Sequence, residues 1–387
     1  MINRKIAPKV MEFMQKFPVV TLTGPRQSGK TTLAKMLFPQ KPYVTLEDPD
    51  ARNYAINDPR GFLNQYPDGA VLDEAQRTPE LFSYIQTIVD EKNMNGMFVI
   101  IGSQQFEMME SISQSLAGRT ALAKLLPFSY DEIYHNNTPN SLEHLIYTGF
   151  FPRIFDQDIN PTDAMSFYLN TYIERDVRKL LNIKNLSLFE TFLKLLAGRS
   201  GQLLNTNSIA NDCGVSHNTI KSWVSILEAS YIIKLIKPFY KNINKRLVKT
   251  PKVYFIDTGL LCYLLNIFEP NQITSHPLKG SIFETYVISE ILKLHYNSSI
   301  PDTLFFFQDH QGNEVDLIIE KAGSYDLIEI KSSATFHDNF LKNILYFEKL
   351  YGKQHNKFVV YGGDKAEFSY KDSRIINWQN ISQIIAT

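Results

Sequence analysis

Residues 21–33, TLTGPRQSGKTTL, constrain the fold more than any other stretch, because Gly24-x-x-x-x-Gly29-Lys30-Thr31 is the spacing of a loop that wraps an anion. Such a loop needs a buried strand before it, a turn that lets successive backbone N–H groups face inward, and a helix whose N-terminus points at the same spot. FPVVTLTG supplies the apolar, β-branched run, Gly24 and Gly29 allow the turn, and KTTLAKMLF has helical spacing. Lys30 then reaches the β and γ phosphates as a mobile point charge, and the Thr31 hydroxyl binds Mg²⁺. The competing reading is a chance glycine turn with a solvated lysine.

A second element decides between them. GAVLDEAQ ends an apolar strand in Asp73 and Glu74, so one carboxylate can hold Mg²⁺ through water and the next can orient an attacking water. Together the two elements predict a site for ATP and Mg²⁺. A third strand, GMFVIIGS, leads to Ser103 and Gln104, read either as a polar sensor beside the γ-phosphate or, for Ser103, as a helix cap. Arg119, after SLAG, either completes a neighbouring subunit's site as a finger, which requires a homo-oligomer, or interacts with a helix C-terminus.

A chain of 387 residues is too long for one core, so two or three domains are expected. Lysine plus arginine and aspartate plus glutamate are both 40, so no global field attracts nucleic acid and any such site must be local. Cys213 and Cys262 stand far apart, without companions at ligand spacing, which implies neither a disulfide framework nor a zinc site. The first residues carry charges throughout and no stretch approaches 18 uninterrupted apolar residues; the expectation is a cytoplasmic protein with no membrane partner.

Strand and helix patterns alternate to about residue 130, as in a parallel sheet wrapped by helices. After the polar break NNTPNS, residues 162–200 turn helical, with Phe167, Leu169, Tyr172, Ile173 and Val177 near one stripe. Residues 203–236 read as helix, turn through Gly214, and a second helix capped by Ser216, with Ile209, Ala210, Val215, Ile220 and Leu227 as their core. The strands YIIKLIKPF and KVYFIDT complete a winged helix. From Lys234 to Lys252 the chain carries Lys237, Lys241, Lys245, Arg246 and Lys249 with no acid, and Phe239 and Tyr240 lie among them. Residues 234–252 therefore suit phosphate contacts with DNA, or form a solvated basic wing on a module that contacts protein.

EVDLIIE and YDLIEIKSS read as a hairpin in which Glu329 and Lys331 share a face and Ile328 and Ile330 take the other. Asp316 on the first strand can meet Glu329, and Glu284 on the preceding helix can approach the same point. Carboxylates converging beside a lysine suit a hard Mg²⁺ ion, with the lysine orienting water or stabilising charge on phosphorus. The alternative is a charged solvent-facing strand.

GPRQSGKTTL, VLDEAQ, SLAGR, YIERDV, FIDTGLL, GSIFETYV and NEVDLII...LIEIKSS together resemble, over nearly the whole chain, a bacterial and archaeal family of AAA-type P-loop ATPases fused to a C-terminal domain of unknown function with a winged helix and a PD-(D/E)XK nuclease-like fold. The resemblance implies an α/β protein with an AAA-type P-loop NTPase domain at 1–135, a helical lid or linker at 136–200, a winged helix at 201–260 and a restriction-endonuclease-like α/β domain at 261–387. It carries Gly24, Pro25, Arg26, Gln27, Ser28, Gly29, Lys30, Thr31, Thr32, Asp73 and Glu74 over as the nucleotide site. Glu284, Asp316, Glu329 and Lys331 carry over as the nuclease-like set. IGSQQ departs from the family's Ser or Thr pair after the glycine, and TGFFP replaces a double-glycine turn. The expected function is an ATPase coupled to DNA processing. A nucleotide-controlled DNA- or protein-binding scaffold with an inactive nuclease fold is the alternative, and a protein-remodelling ATPase is a third.

Overall fold

A computed structural model describes residues 2–102, 114–134, 139, 141–173, 186–240, 249–321, 323–352 and 355–385. Ser103, Gln104, Val177, Lys241, Lys245 and Arg246 lie outside the described residues, as do the side chains of Tyr172 and Ile173. The chain forms two compact units. The first is Met1–Phe128 with Ala229–Tyr231 and His295–Ile300, and the second comprises Ser129–Glu228, Ile232–Leu294 and Pro301–Thr387.

The first unit is built on five strands, β1 (Val19–Thr23), β2 (Tyr43–Thr45), β3 (Val71–Asp73), β4 (Phe98–Ile101) and β5 (Thr120–Lys124), ordered β2-β3-β4-β1-β5. Every pairing is parallel. A parallel sheet is covered on both faces, and its central strands here are buried throughout. Because side chains alternate, Val19 and Ile100 pack with Leu81, Phe82 and Ile85 of the helix Leu81–Lys92. Val20, Leu22, Val99 and Ile101 pack on the other face against Val10 of the helix Ala7–Lys16 and Leu33 of the helix Lys30–Leu37. β4 therefore separates the strand that ends in the glycine loop from the strand that ends in Asp73.

The second unit has one nine-stranded mixed sheet: β6 (Gln202–Leu203), β7 (Ile233–Pro238), β8 (Lys252–Phe255), β9 (Leu304–Gln308), β10 (Glu314–Lys321), β11 (Ser324–Lys331), β12 (His355–Tyr361), β13 (Phe368–Tyr370) and β14 (Ser373–Asn377). Its order is β13-β14-β12-β11-β10-β9-β7-β8-β6. The hairpin expected from EVDLIIE and YDLIEIKSS forms between β10 and β11, and the helix Lys342–Tyr351 supplies the crossover to parallel β12. Ile344 and Phe347 of that helix seal a core with Phe307, Val315, Leu327 and Val359.

β7 bonds to β8 on one side and to β9 on the other, so strands anticipated in separate segments of the chain share one ladder. The helices Thr206–Cys213 and His217–Ala229 meet through Gly214, whose φ of 67° is left-handed, and the Ser216 hydroxyl accepts from Thr219 N. Ile209, Ala210, Ile220 and Leu227 are buried as expected, whereas Val215 is only half-buried.

Two apolar expectations are corrected. Phe167 is 62% exposed rather than part of a buried stripe, because the helix Pro161–Tyr168 buries Met165 and Tyr168 and turns residue 167 away from both. Phe239 is buried in the second unit's core, edge-on to Tyr325 and tilted against Phe347, and cannot face a nucleic acid. Among the described residues no helix is long and apolar enough to cross a membrane.

Candidate nucleotide site and acidic pocket

Gly24 leaves β1 at φ 144°, and a Cβ there would lie 2.0 Å from the Leu125 carbonyl oxygen, so only glycine passes. Pro25, Arg26, Gln27 and Ser28 form the turn, with Gln27 at φ 61°, and Gly29 at φ 89° opens the helix that carries Lys30, Thr31 and Thr32. Lys30 is buried, and its Nζ donates to the carbonyls of Gly24 (3.0 Å) and Pro25 (2.7 Å). Burial pulls its pKa down to about 8, with Arg26 adding to the effect and Glu74 and Asp73 opposing it. The Thr31 hydroxyl donates to Asp73 Oδ2 at 2.6 Å across the intervening strand. Glu74 follows at φ 54°, its N–H held by Asp73 Oδ1 at 3.0 Å and its carboxylate accepting from Gln76 Nε2.

Three further residues at this loop carried no motif. Arg4 is buried, and its guanidinium donates to the carbonyls of Ser28 and Leu126, each at 2.7 Å. A trans peptide points its C=O and the next N–H in opposite directions, so Arg4 holds the Gly29 N–H turned away from itself. Tyr43 donates to Asp73 Oδ2 at 2.7 Å, and burial, reinforced by that carboxylate, raises its pKa. Tyr231 shares a 2.9 Å hydrogen bond with Thr23, the last residue before Gly24. Their signal lies in spatial neighbours, which a linear spacing does not carry. Arg119 makes two bonds to Asp90, at 2.5 and 2.7 Å, and a third to the Ala117 carbonyl, so a finger role requires it to exchange Asp90 for a phosphate.

The lowered pKa of Lys30 fixes a pH dependence. An anion in the loop favours the charged lysine, so above about pH 8 binding must take up a proton and affinity falls with rising pH, by at most tenfold per unit. Equilibrium binding of ATP between pH 7 and 10 is expected to be flat first and then to decline; an unbroken plateau to pH 10 contradicts the assignment.

In the second unit the sequence-predicted acids come together around Asp316. Its Oδ2 accepts from Ile330 N (2.7 Å) and from Lys331 Nζ (3.1 Å), and Lys331 also donates to Glu329 Oε2 at 2.6 Å. Glu329 is fully buried and its Oε1 has no hydrogen-bond partner among the described residues. Burial and the neighbouring Asp316 push its pKa well up, against the pull of Lys331. Burial opposes the charge on Lys331, but Asp316 and Glu329 outweigh it and raise its pKa.

Glu284 does not join Glu329. It groups instead with Glu314 and Asp316, whose oxygens all lie within 4.8 Å of one another. Lys252, 4% exposed, donates to Glu284 Oε1 at 3.1 Å and to Glu314 Oε1, and Tyr254 donates to the same Glu284 oxygen at 2.5 Å. Burial works against the Lys252 ammonium, yet Tyr254 and the acids hold its pKa well above the usual lysine value. Lys252 is thus spent inside the protein, as is Lys234 on Asp302, and of the segment's other described lysines Lys237 and Lys249 are exposed. Glu314, Lys252 and Tyr254 were absent from the expected set, although Glu314 shares a strand face with Asp316, as Lys252 does with Tyr254.

A glycine loop closing on a helix, a threonine bonded to the acid at the end of the next strand but one, and a glutamate directly after it define the first unit as a P-loop ATPase domain of the AAA type. Residues 16–134 match the family described as AAA domain, residues 139–271 a domain of unknown function (DUF8612), and residues 279–381 a domain of unknown function (DUF4143). Two uncharacterized proteins, of Mycobacterium tuberculosis and Mycobacterium bovis, are each 31% identical over 338 residues, covering 86% of this chain and 74% of theirs. The chain belongs to the family of these proteins. Among solved structures, the Walker-type ATPase of Pyrococcus abyssi is similar at TM-score 0.46 and 12% identity, over 68% of this chain and 96% of that one. AMPPCP-bound DnaA from Aquifex aeolicus is similar at TM-score 0.31 and 14% identity, over 58% and 86%.

Proposed function

We propose that this chain is a Mg²⁺-dependent ATPase whose cycle is coupled to nucleic acid held by its second unit. The bond between Thr31 and Asp73 is the observation that carries the first part: two hard oxygens 2.6 Å apart beside a buried lysine suit Mg²⁺ on a nucleotide. Bound Mg²⁺ would offset the charge of the phosphates. Lys30 leaves the Gly24 and Pro25 carbonyls for the β and γ phosphates, backbone N–H groups of residues 26–32 cradle them, and Asp73 holds Thr31 in place. Glu74, fixed by Gln76, orients the attacking water.

The second part rests on the helices Thr206–Cys213 and His217–Ala229 followed by the β7–β8 hairpin, the order of a winged helix, and on the basic residues between those strands. Neutralising Lys241, Lys245, Arg246 and Lys249 together is expected to flatten the slope of log affinity for duplex DNA against log salt by roughly 3 to 4 units, if each contacts one phosphate. An unchanged slope, or ATP hydrolysis indifferent to DNA, assigns the hairpin to a protein partner instead.

For the C-terminal half we read the β10–β11 hairpin with Glu284 as nuclease-like. The oxygen set of Glu284, Glu314 and Asp316 has the span for a divalent ion, but the Lys252 ammonium already sits on two of the three, so the arrangement does not fit a metal as it stands. That observation favours the scaffold reading, in which the fold grips nucleic acid without cleaving it.

A further inference from the structure

We propose that Lys252 is the resident cation of the pocket formed by Glu284, Glu314 and Asp316, and that a divalent metal enters only by expelling the Lys252 side chain. The inference deepens the nuclease-like reading of this pocket and explains why it would be silent in the unaltered chain.

Three observations carry it. First, the ammonium and a metal would compete for the same carboxylates. Carboxylate oxygens mutually within 4.8 Å match the shell of an ion with metal–oxygen distances of about 2.1 to 2.5 Å. Lys252 Nζ bonds to one oxygen of Glu284 and one of Glu314, which places a positive charge at the mouth of that shell.

Second, the protein's own donors already bond to all three carboxylates. Glu284 Oε1 accepts from both Lys252 and Tyr254, while Glu314 accepts from Lys252 on one oxygen and from Gln308 Nε2, at 2.9 Å, on the other. Asp316 Oδ2 is taken by Ile330 N and Lys331.

Third, Lys252 is built in rather than draped over the pocket. It lies on β8 between β7 and β6, is 4% exposed, and its Nζ stands 5.6 Å from the centre of the Phe306 ring. Lys331, the lysine that shares a strand face with Glu329, is a separate and more exposed group. The pocket therefore contains one lysine more than the hairpin itself brings.

The test counts Mn²⁺ ions by paramagnetic resonance on the full chain without nucleotide, in an Asp73→Asn background so that the nucleotide site adds no cation. With Lys252 present, millimolar Mn²⁺ is expected to stay free. Lys252→Met is expected to create one site at least tenfold tighter, and adding Asp316→Asn to remove it. Should Lys252→Met fail to fold by circular dichroism, Lys252→Gln, one atom shorter but with a neutral N–H donor, is expected to bind in the same way. Tight Mn²⁺ binding that needs Asp316 while Lys252 is in place, or no gain in a folded neutral variant, overturns the proposal. Phosphodiester cleavage is scored separately on the same variants. Cleavage by the metal-loaded variant supports the nuclease-like reading, and metal binding without cleavage removes that reading while the cation assignment stands.

Discussion

Lys30→Ala is expected to abolish measurable ATP binding, a loss of about 10³-fold or more, while the first unit stays folded. The two halves of this result have different causes. Affinity falls because the variant lacks the only buried ammonium on the described loop, and charge-assisted bonds to phosphate contribute about 1.5 to 3 kcal/mol each. Folding survives because burial already disfavours that ammonium. A pKa lowered from 10.5 to about 8 means the folded chain holds the charge at a cost of about 3 kcal/mol. Truncation relieves that cost and leaves two loop carbonyls for water to solvate. Titration with a fluorescent ATP analogue, beside a thermal melt, checks both halves; affinity within threefold of the parent would show that the loop binds no phosphate.

Glu74→Gln is expected to do the opposite: keep ATP bound and slow its hydrolysis by about 10²-fold or more. The substitution is close to isosteric, and the backbone at residue 74 is pinned independently by Asp73 Oδ1. An amide can still meet Gln76, but it cannot accept a proton from water. A left-handed φ of 54° at a non-glycine residue is uncommon and costs on the order of 1 kcal/mol. It directs the side chain immediately beyond the acid that bonds Thr31. Single-turnover release of phosphate measures the effect, and an unchanged rate would transfer the water-orienting role to another group.

The first unit was legible because its chemistry is local. The spacing from Gly24 to Thr31 encodes a turn, and an apolar run closed by Asp73 encodes a strand end, so both could be read without knowing the sheet order. The β10–β11 hairpin was legible for the same reason: a period of two puts Glu329 beside Lys331, and a short connection puts Asp316 opposite them. Lys252 and Tyr254 were not, since they reach Glu284 and Glu314 through a sheet in which β7 bonds to β9 across a separation of more than sixty residues. A pattern of charge along the chain read Lys252 as the edge of a basic segment, and only the three-dimensional neighbours turn it into half of a buried ion pair. Arg4 escaped because a single arginine before a helix has no distinguishing context until the Ser28 carbonyl arrives. Phe167 misled because a large apolar side chain was assigned to the buried face, whereas its helix buries Met165 and Tyr168 instead.

The ladder from β7 to β9 also limits how this gene can be rearranged. A recombination joint placed between residues 271 and 279, where one family segment ends and the next begins, looks harmless on the linear map. Inherited alone, the downstream piece would begin after β8, and β9 would lose the neighbour that Phe239 N and Phe306 O now join at 2.7 Å. Its unpaired edge would invite association with other copies. It would also lack Lys252, leaving Glu284, Glu314 and Asp316 uncompensated in the same polypeptide. The two segments are therefore expected to travel through genomes as a single inherited block.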